Sequence, residues 1–245
     1  MDPLSTAAAA GLRSRMESLD MLSNNLANAG TGGFKSDREF FNLYFSTEAV
    51  DANGEASGNS LPLIEKHWID FSQGTLRSTG STLDFALEGQ GFFTVKGPRG
   101  PLYTRNGNFR VSPAGLLTTA DGYPVQLADG TPVSLQGSAA LEVNAQGEIT
   151  QEGQSLGKLS LALFNDPSVV NKQGANYFYL TDPQAKTAVA KAEVRQGHLE
   201  DSNTGPAEGA VQLVNVMRQF EMLQKALSIA EEMNKRSVDE VARVS

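Results

Sequence analysis

The chain has no cysteine, so neither a disulfide framework nor a zinc–thiolate site is available to it. Its only histidines are His67 and His198. They are too far apart for a His-x-x-x-His pair on one helix face, and no metal site is expected. Positive charge is also scarce. Lys and Arg number 20 against 28 Asp and Glu, a net charge of -8, and no basic stripe exists to meet a phosphate backbone, so no nucleic-acid partner is expected. No apolar run reaches the ~18 residues of a membrane-spanning helix, and membrane insertion is not expected. The first apolar stretch is interrupted by Arg13, Arg15 and Glu17 and lacks a basic leader, so it is not expected to be a secretory signal peptide. No serine stands in Gly-x-Ser-x-Gly. Gly89-Gln90-Gly91 is not followed by the helix that a dinucleotide-binding loop opens, and its glycines fit a tight turn or bulge instead. No cofactor is expected.

The two ends carry helical patterning. Between Ala207 and Val241 the only glycine is Gly209 and there is no proline. Within that stretch Leu213, Val216, Phe220, Leu223, Leu227 and Ala230 recur at alternating steps of three and four, the period of a helix lying against another helix. Gly205-Pro206 punctuates its start. At the other end Ala8, Leu12, Leu19, Leu22 and Leu26 share one face, with Asp2-Pro3 as a start signal and Asn28, Gly30 and Gly32-Gly33 as stops. The small residues from Ala7 to Gly11 allow a partner helix to come close. Neither helix buries enough of itself to stand alone.

The whole chain has 24 glycines and 10 prolines, a turn-rich composition, and most of them lie between the two helices. Residues 31–82 read as a transition segment. Phe40 to Phe45 is apolar without a deciding period, 51–60 is a Gly/Asn/Ser-rich flexible loop, and His67 to Phe71 alternates as a strand. From 83 to 200 short β-rich runs alternate with turn signals: Phe92 to Lys96, Gly97-Pro98-Arg99-Gly100, Leu102 to Arg105, then Asn106-Gly107 as a hairpin signal. Leu159 to Leu163 alternates as a half-buried strand. The expected fold class is α+β. A central mainly-β domain, a sandwich or irregular barrel, is flanked by N- and C-terminal helices (1–30 and 201–245) that pair as a coiled coil.

Few side chains invite a chemical reading. Asn24, Asn25 and Asn28 cluster at the end of the first helix, where asparagine caps carbonyls and tolerates left-handed geometry. They are also candidates for pairing between subunits. Asp84 and Glu88 stand four apart in a strand-turn region and need not share a face, which makes a glycan-cleaving carboxylate pair a weak reading. No catalytic constellation emerges, and the chain is not expected to be an enzyme.

The motifs are specific to a family. Asn24-Asn25-Leu26-Ala27-Asn28-Ala29 with Thr31 and Gly33-Phe34-Lys35 resembles the N-terminal signature of the bacterial flagellar rod and hook axial proteins. Leu83-Asp84-Phe85-Ala86-Leu87-Glu88-Gly89-Gln90-Gly91-Phe92-Phe93 resembles that family's second motif. Tyr103 to Phe109, with Gly115-Leu116-Leu117 and Gly122-Tyr123-Pro124-Val125, resembles the third. Gly197 to Asn203 sits where the family enters its last helix, and Arg218-Gln219-Phe220-Glu221 lies within it. The length and that tetrapeptide are most similar to the proximal rod member, with the distal rod protein as the alternative. One departure is Thr204-Gly205-Pro206, where the family usually continues with a valine, so the hinge into the last helix is expected to be rebuilt.

The resemblance implies a structural subunit. It implies export through the flagellar export apparatus without a cleaved signal peptide, and helical polymerisation with itself and other rod and hook axial proteins in the basal body. It further implies that paired terminal helices form the drive shaft and the channel wall. The assembly interface is then expected at Leu12, Leu19, Leu22, Asn24, Asn25, Leu26 and Asn28 on the first helix, and at Leu213, Val216, Phe220, Leu223 and Leu227 on the last. A β-rich surface binding module on a coiled-coil stalk is the alternative from another class. Seams at both ends favour the polymer, because a stalk needs only one.

Overall fold

The computed structural model describes residues 3–45, 60–137, 140–182 and 187–244. The expected loop at 51–60 lies almost wholly outside the described residues. The fold is α+β, and the chain divides into two compact units. Unit 1 gathers residues 1–27, 37–68 and 206–245, and unit 2 gathers 28–36 and 69–205.

Unit 1 holds helix α1 (Pro3–Ala27), strands β1 (Asp37–Phe45) and β2 (Ser60–Ile69, whose last residue belongs to unit 2), and helix α2 (Pro206–Val244). At ~1.5 Å per residue the helices run roughly 37 and 58 Å. Pro206 occupies the first turn of α2, where its missing N–H costs nothing. α1 packs against α2 and against β1. β1 and β2 pair as a two-stranded ribbon. The Phe40–Phe45 run, undecided by its period, is therefore strand.

Unit 2 carries the remaining strands: β3 (Leu76–Ser78), β4 (Phe85–Glu88), β5 (Phe92–Gly97), β6 (Gly100–Thr104), β7 (Arg110–Val111), β8 (Leu117–Thr118), β9 (Leu141–Val143), β10 (Glu148–Gln151), β11 (Gln154–Lys158), β12 (Leu161–Phe164), β13 (Val170–Gln173), β14 (Tyr177–Leu180), β15 (Thr187–Val189), β16 (Glu193–Gln196) and β17 (His198–Glu200). Six of them form an antiparallel sheet in the order β13-β14-β6-β5-β12-β15. Smaller ladders join β9, β10 and β11, β4 with β16, β3 with β17, and β7 with β8.

The six-stranded sheet is buried on both faces, because side chains alternate across a strand. Phe93 and Val95 of β5, Leu102 of β6, Leu161 of β12 and Tyr177 of β14 point into the larger core around Phe85, Leu87, Phe109 and Ile149. Their neighbours Phe92, Tyr103, Ala162 and Phe178 point into a second, aromatic core with Phe164 and Val170. Phe71 closes that second core, its ring centroid 5.3 Å from Phe92 and 5.5 Å from Phe178. β12 is thus not the half-buried strand its alternation suggested. Ala162 in its pattern faces a second core rather than water, and Ser160 is half-buried with its hydroxyl on Thr94 Oγ1.

The turn signals divide in the same way. Gly97 pairs with Gly100 to make the β5–β6 hairpin. Asn106-Gly107 makes no hairpin. Asn106 Oδ1 accepts the Asn108 N–H, and the Gly107 carbonyl accepts the Phe85 N–H. Glycine is required there because a Cβ would overlap the Phe85 carbonyl, a close approach rather than a turn requirement.

Candidate assembly surfaces and the motif junction

On α2 the burial pattern follows the period read from the sequence. From Pro206 to Met233 every residue is exposed except buried Gly209 and half-buried Leu213, Val216, Phe220, Leu223, Leu227 and Ala230. α1 supplies the opposing surface. Gly11 lies beside Leu223, whose Cδ1 stands 3.7 Å from where a Cβ on that glycine would be, an ordinary van der Waals distance. On α1 Leu22 is buried and Leu12, Leu19 and Leu26 are half-buried.

The most enclosed face of α1 is polar. Ser14, Ser18 and Asn25 are buried, and Ser18 Oγ lies 2.7 Å from Glu39 Oε2 of β1. Asn25 caps nothing. Its Nδ2 donates to the Asp37 carbonyl at 2.8 Å and its Oδ1 accepts the Asp37 N–H at 3.0 Å. The amide thus imitates a strand neighbour for the first residue of β1. Asn28 keeps a local role, its Oδ1 accepting from Thr31 Oγ1. Asn24 is exposed. None of the three adopts left-handed geometry; in this segment that falls to Gly33. Asparagine at a helix end has several ways to satisfy an amide, and spacing alone does not select among them.

α2 also carries apolar side chains that unit 1 leaves bare. Val211, Val214, Met217, Met222, Ile229 and Met233 are exposed. At about 3.6 residues per turn, Val211, Met222, Ile229 and Met233 fall away from the Leu213–Ala230 seam, with Val214 to one side of them and Met217 nearer the seam.

A second polar site lies in unit 2, where the sequence offered no pairing. Lys35, Arg105 and Glu200 are fully or almost fully buried, and both cations meet the one carboxylate. Lys35 Nζ donates to Glu200 Oε1 and to the Ser72 carbonyl. Arg105 donates to Glu200 Oε2 at 2.9 Å and to the carbonyls of Leu87 and Gly89. Glu200 Oε1 also accepts the Gly74 N–H at 2.9 Å. Burial pulls the Lys35 ammonium below its ordinary range, and the facing Glu200, together with Asp70, pushes back. Burial likewise lowers Arg105, again opposed by Glu200. Beside them Asn203 Oδ1 accepts the Ser36 N–H and Asn203 Nδ2 donates to the Asp70 carbonyl, both at 2.8 Å. Glu200 is 165 residues from Lys35 and 95 from Arg105. Only their position inside the quoted motifs hinted at a joint role.

The carboxylates considered for hydrolysis are occupied separately. Asp84 is buried and accepts from Thr79 Oγ1 and Asn108 Nδ2. Glu88 is exposed and pairs with Arg195 at 2.7 Å. Among the described residues no group of three or more His, Asp or Glu side chains could hold a metal ion.

Relatives now give this geometry a context. Residues 86–151 match the flagellar hook protein FlgE/F/G D1 domain, and residues 195–240 match the flagellar basal body rod FlgEFG protein C-terminal domain. The flagellar basal-body rod protein FlgF of Caulobacter vibrioides is 30% identical over 231 residues, covering 93% of each chain. The chain belongs to the flagellar basal-body rod protein family. FlgG of the same organism is also 30% identical, over 249 residues, covering 92% of this chain and 94% of the relative. FlgF of Rhizobium meliloti is 31% identical over 207 residues, 83% of each. Similarity of this order to both FlgF and FlgG does not separate the two kinds of rod member. The chain is a structural subunit of the bacterial flagellar basal body, not an enzyme. None of its described helices is long and apolar enough to cross a membrane. The two matched regions between them contain Arg105, Glu200 and Asn203 of the buried junction and the whole α2 seam.

Proposed function

We propose that this rod subunit polymerises helically through α1 and α2. The two pair as a coiled coil within a subunit, and α2 presents its outer stripe to the next subunit or to another axial protein. The proximal rod is the position favoured by chain length and the Arg218-Gln219-Phe220-Glu221 helix; the distal rod is the alternative. The export apparatus is the partner that delivers the chain, and Leu12, Leu19, Leu22, Leu26 and the α2 seam form the interior of each paired arm.

The observation that carries this reading is the double-sided helix. An α2 built only to cover α1 needs one apolar stripe, yet its far side exposes Val211, Met222, Ile229 and Met233. Exposed apolar side chains recurring along one face of a helix, among polar neighbours such as Asn215 and Arg218, suit a contact surface. Its repetition along a helix suits a heterologous contact that propagates without closing into a small ring.

The test is Met222→Glu together with Ile229→Glu, in cells whose own copy is deleted. The pair leaves the intramolecular seam alone. The expected result is normal subunit levels with no rods recovered and no swimming. Wild-type rod yield from this double variant would remove the outer stripe from the interface.

A further inference from the structure

The chain passes between the two units at 27/28, 36/37, 68/69 and 205/206. Three of these passages are bonded to one another on the unit 2 side. Asp70 N–H donates to the Ser36 carbonyl, Ser36 N–H to Asn203 Oδ1, Asn203 Nδ2 to the Asp70 carbonyl, and Asn203 N–H to the Phe34 carbonyl. The Gly33 N–H donates to the Glu200 carbonyl at 2.7 Å and the Asp201 N–H to the Thr75 carbonyl. Beneath this lattice lies the buried group Lys35, Arg105 and Glu200, with Asp70 close to Lys35. The charges balance as two cations and two carboxylates only when all four segments are in place.

We propose that Lys35, Arg105, Glu200 and Asn203 form a latch that fixes side by side the places where β1 begins, β2 ends and the lead into α2 leaves, and that opens and closes as one element distinct from the sheet core.

Three observations separate the latch from ordinary core. The bonds that join its segments to one another are polar and ionic, while Phe71 packs on the second core. Breaking a buried ion group leaves unpaired charge, so it shuts or opens as a whole rather than fraying. The segments it holds, 28–36 and 69–75, contain no strand of the six-stranded sheet, and such peripheral segments form units that open on their own. Two glycines are built for the close approach. A Cβ on Gly33 would overlap the Arg105–Asn106 peptide, and one on Gly74 would overlap the Asp201 carbonyl. Chain closure at Glu200 therefore seats both segments at once.

The test is residue-resolved amide hydrogen exchange on the full-length monomer, which needs no assembly. Failure there would leave the polymerisation reading untouched, and failure of that reading would leave this result standing. In Glu200→Gln the amides of Gly33, Ser36, Asp70 and Gly74 are expected to exchange about 100-fold faster than in wild type. The sheet-core amides of Thr94, Val125 and Gln126 should keep their protection. Asn203→Ala touches no charge and should give the same split with smaller amplitude, so the test survives if Glu200→Gln does not fold. Equal acceleration of both amide sets in Asn203→Ala would make these residues part of the global fold and overturn the latch. Unchanged exchange at Ser36 and Asp70 in that variant would overturn it as well.

Discussion

The two units handle their apolar residues in opposite ways. Among the residues whose burial is described, which leave out 40–67 of unit 1, every buried hydrophobic one belongs to unit 2 except Leu22. Unit 1 instead exposes Met16, Trp68, Val211, Val214, Met217, Met222, Ile229 and Met233, against Val111, Tyr179 and Val189 in unit 2. Unit 2 is a closed globule with two cores sharing one sheet. Unit 1 is two long helices and a two-stranded ribbon, and a two-stranded ribbon or a lone helix pair is marginal in water. The proposed polymerisation turns this difference into a division of labour, in which unit 2 is expected to fold by its own burial and unit 1 to be completed by what it binds.

The sharpest way to break this comparison is to damage each unit in turn. Leu223→Asp places a charge in the α1–α2 seam, where unpaired burial costs several kcal/mol. It should abolish rod formation and motility while leaving the thermal unfolding of unit 2 unchanged. The exposed neighbour Gln219→Ala should do neither. Phe93→Ala is the mirror experiment. It empties a fully buried site in the larger core and should cost unit 2 ~3–5 kcal/mol in urea unfolding. If Leu223→Asp destabilises unit 2 as much as Phe93→Ala does, the units are not independent.

Gly33→Ala should have a smaller effect. Its φ of 67° lies in the left-handed region and a Cβ would meet the Arg105–Asn106 backbone. A loss of roughly 1–3 kcal/mol is expected in unit 2, visible as a lowered urea midpoint with an unchanged slope. A neutral result would mean that the 28–36 segment is not held against the β6 end.

How much of this was legible beforehand depended on the range of the interaction. The α2 seam could be read because residues three and four apart share a face, and its burial follows that period residue by residue. The β5–β6 hairpin could be read because both strands and the turn between Gly97 and Gly100 are local. The double burial of β12 could not, since nothing in five residues says what lies on the second face. Asn25 reads from the sequence as a cap or an inter-subunit pairing residue, and within the chain its amide reaches twelve residues ahead to Asp37. The Lys35–Arg105–Glu200 group was invisible for the same reason. Each is a common charged residue, and only the fold brings positions 35, 105 and 200 together.

The smallest expected effect is a pH dependence. The Lys35 ammonium is held below its usual 10.5 in the folded chain, chiefly by burial. Between the folded and unfolded values the unfolded chain therefore binds the extra proton, and stability rises with pH. The unfolding free energy of wild type relative to Lys35→Met should climb as pH rises toward 10.5 and level off above it. A flat or falling difference across that window would show that Lys35 is not buried as a strained cation. Taking the difference between the two proteins cancels the opposite trend from the buried tyrosines Tyr103 and Tyr177, whose hydroxyls burial pushes up.

The most direct test of the division of labour is hydrogen exchange over residues 207–233, compared between dilute full-length monomer and assembled rods, with β5 and β6 as the internal standard. Rapid exchange along α2 in the monomer, strong protection in the rod, and an unchanged β5–β6 signal are the expected results. Strong protection of α2 in the dilute monomer, equal to that in the rod, would contradict the claim that unit 1 is completed only by its partners.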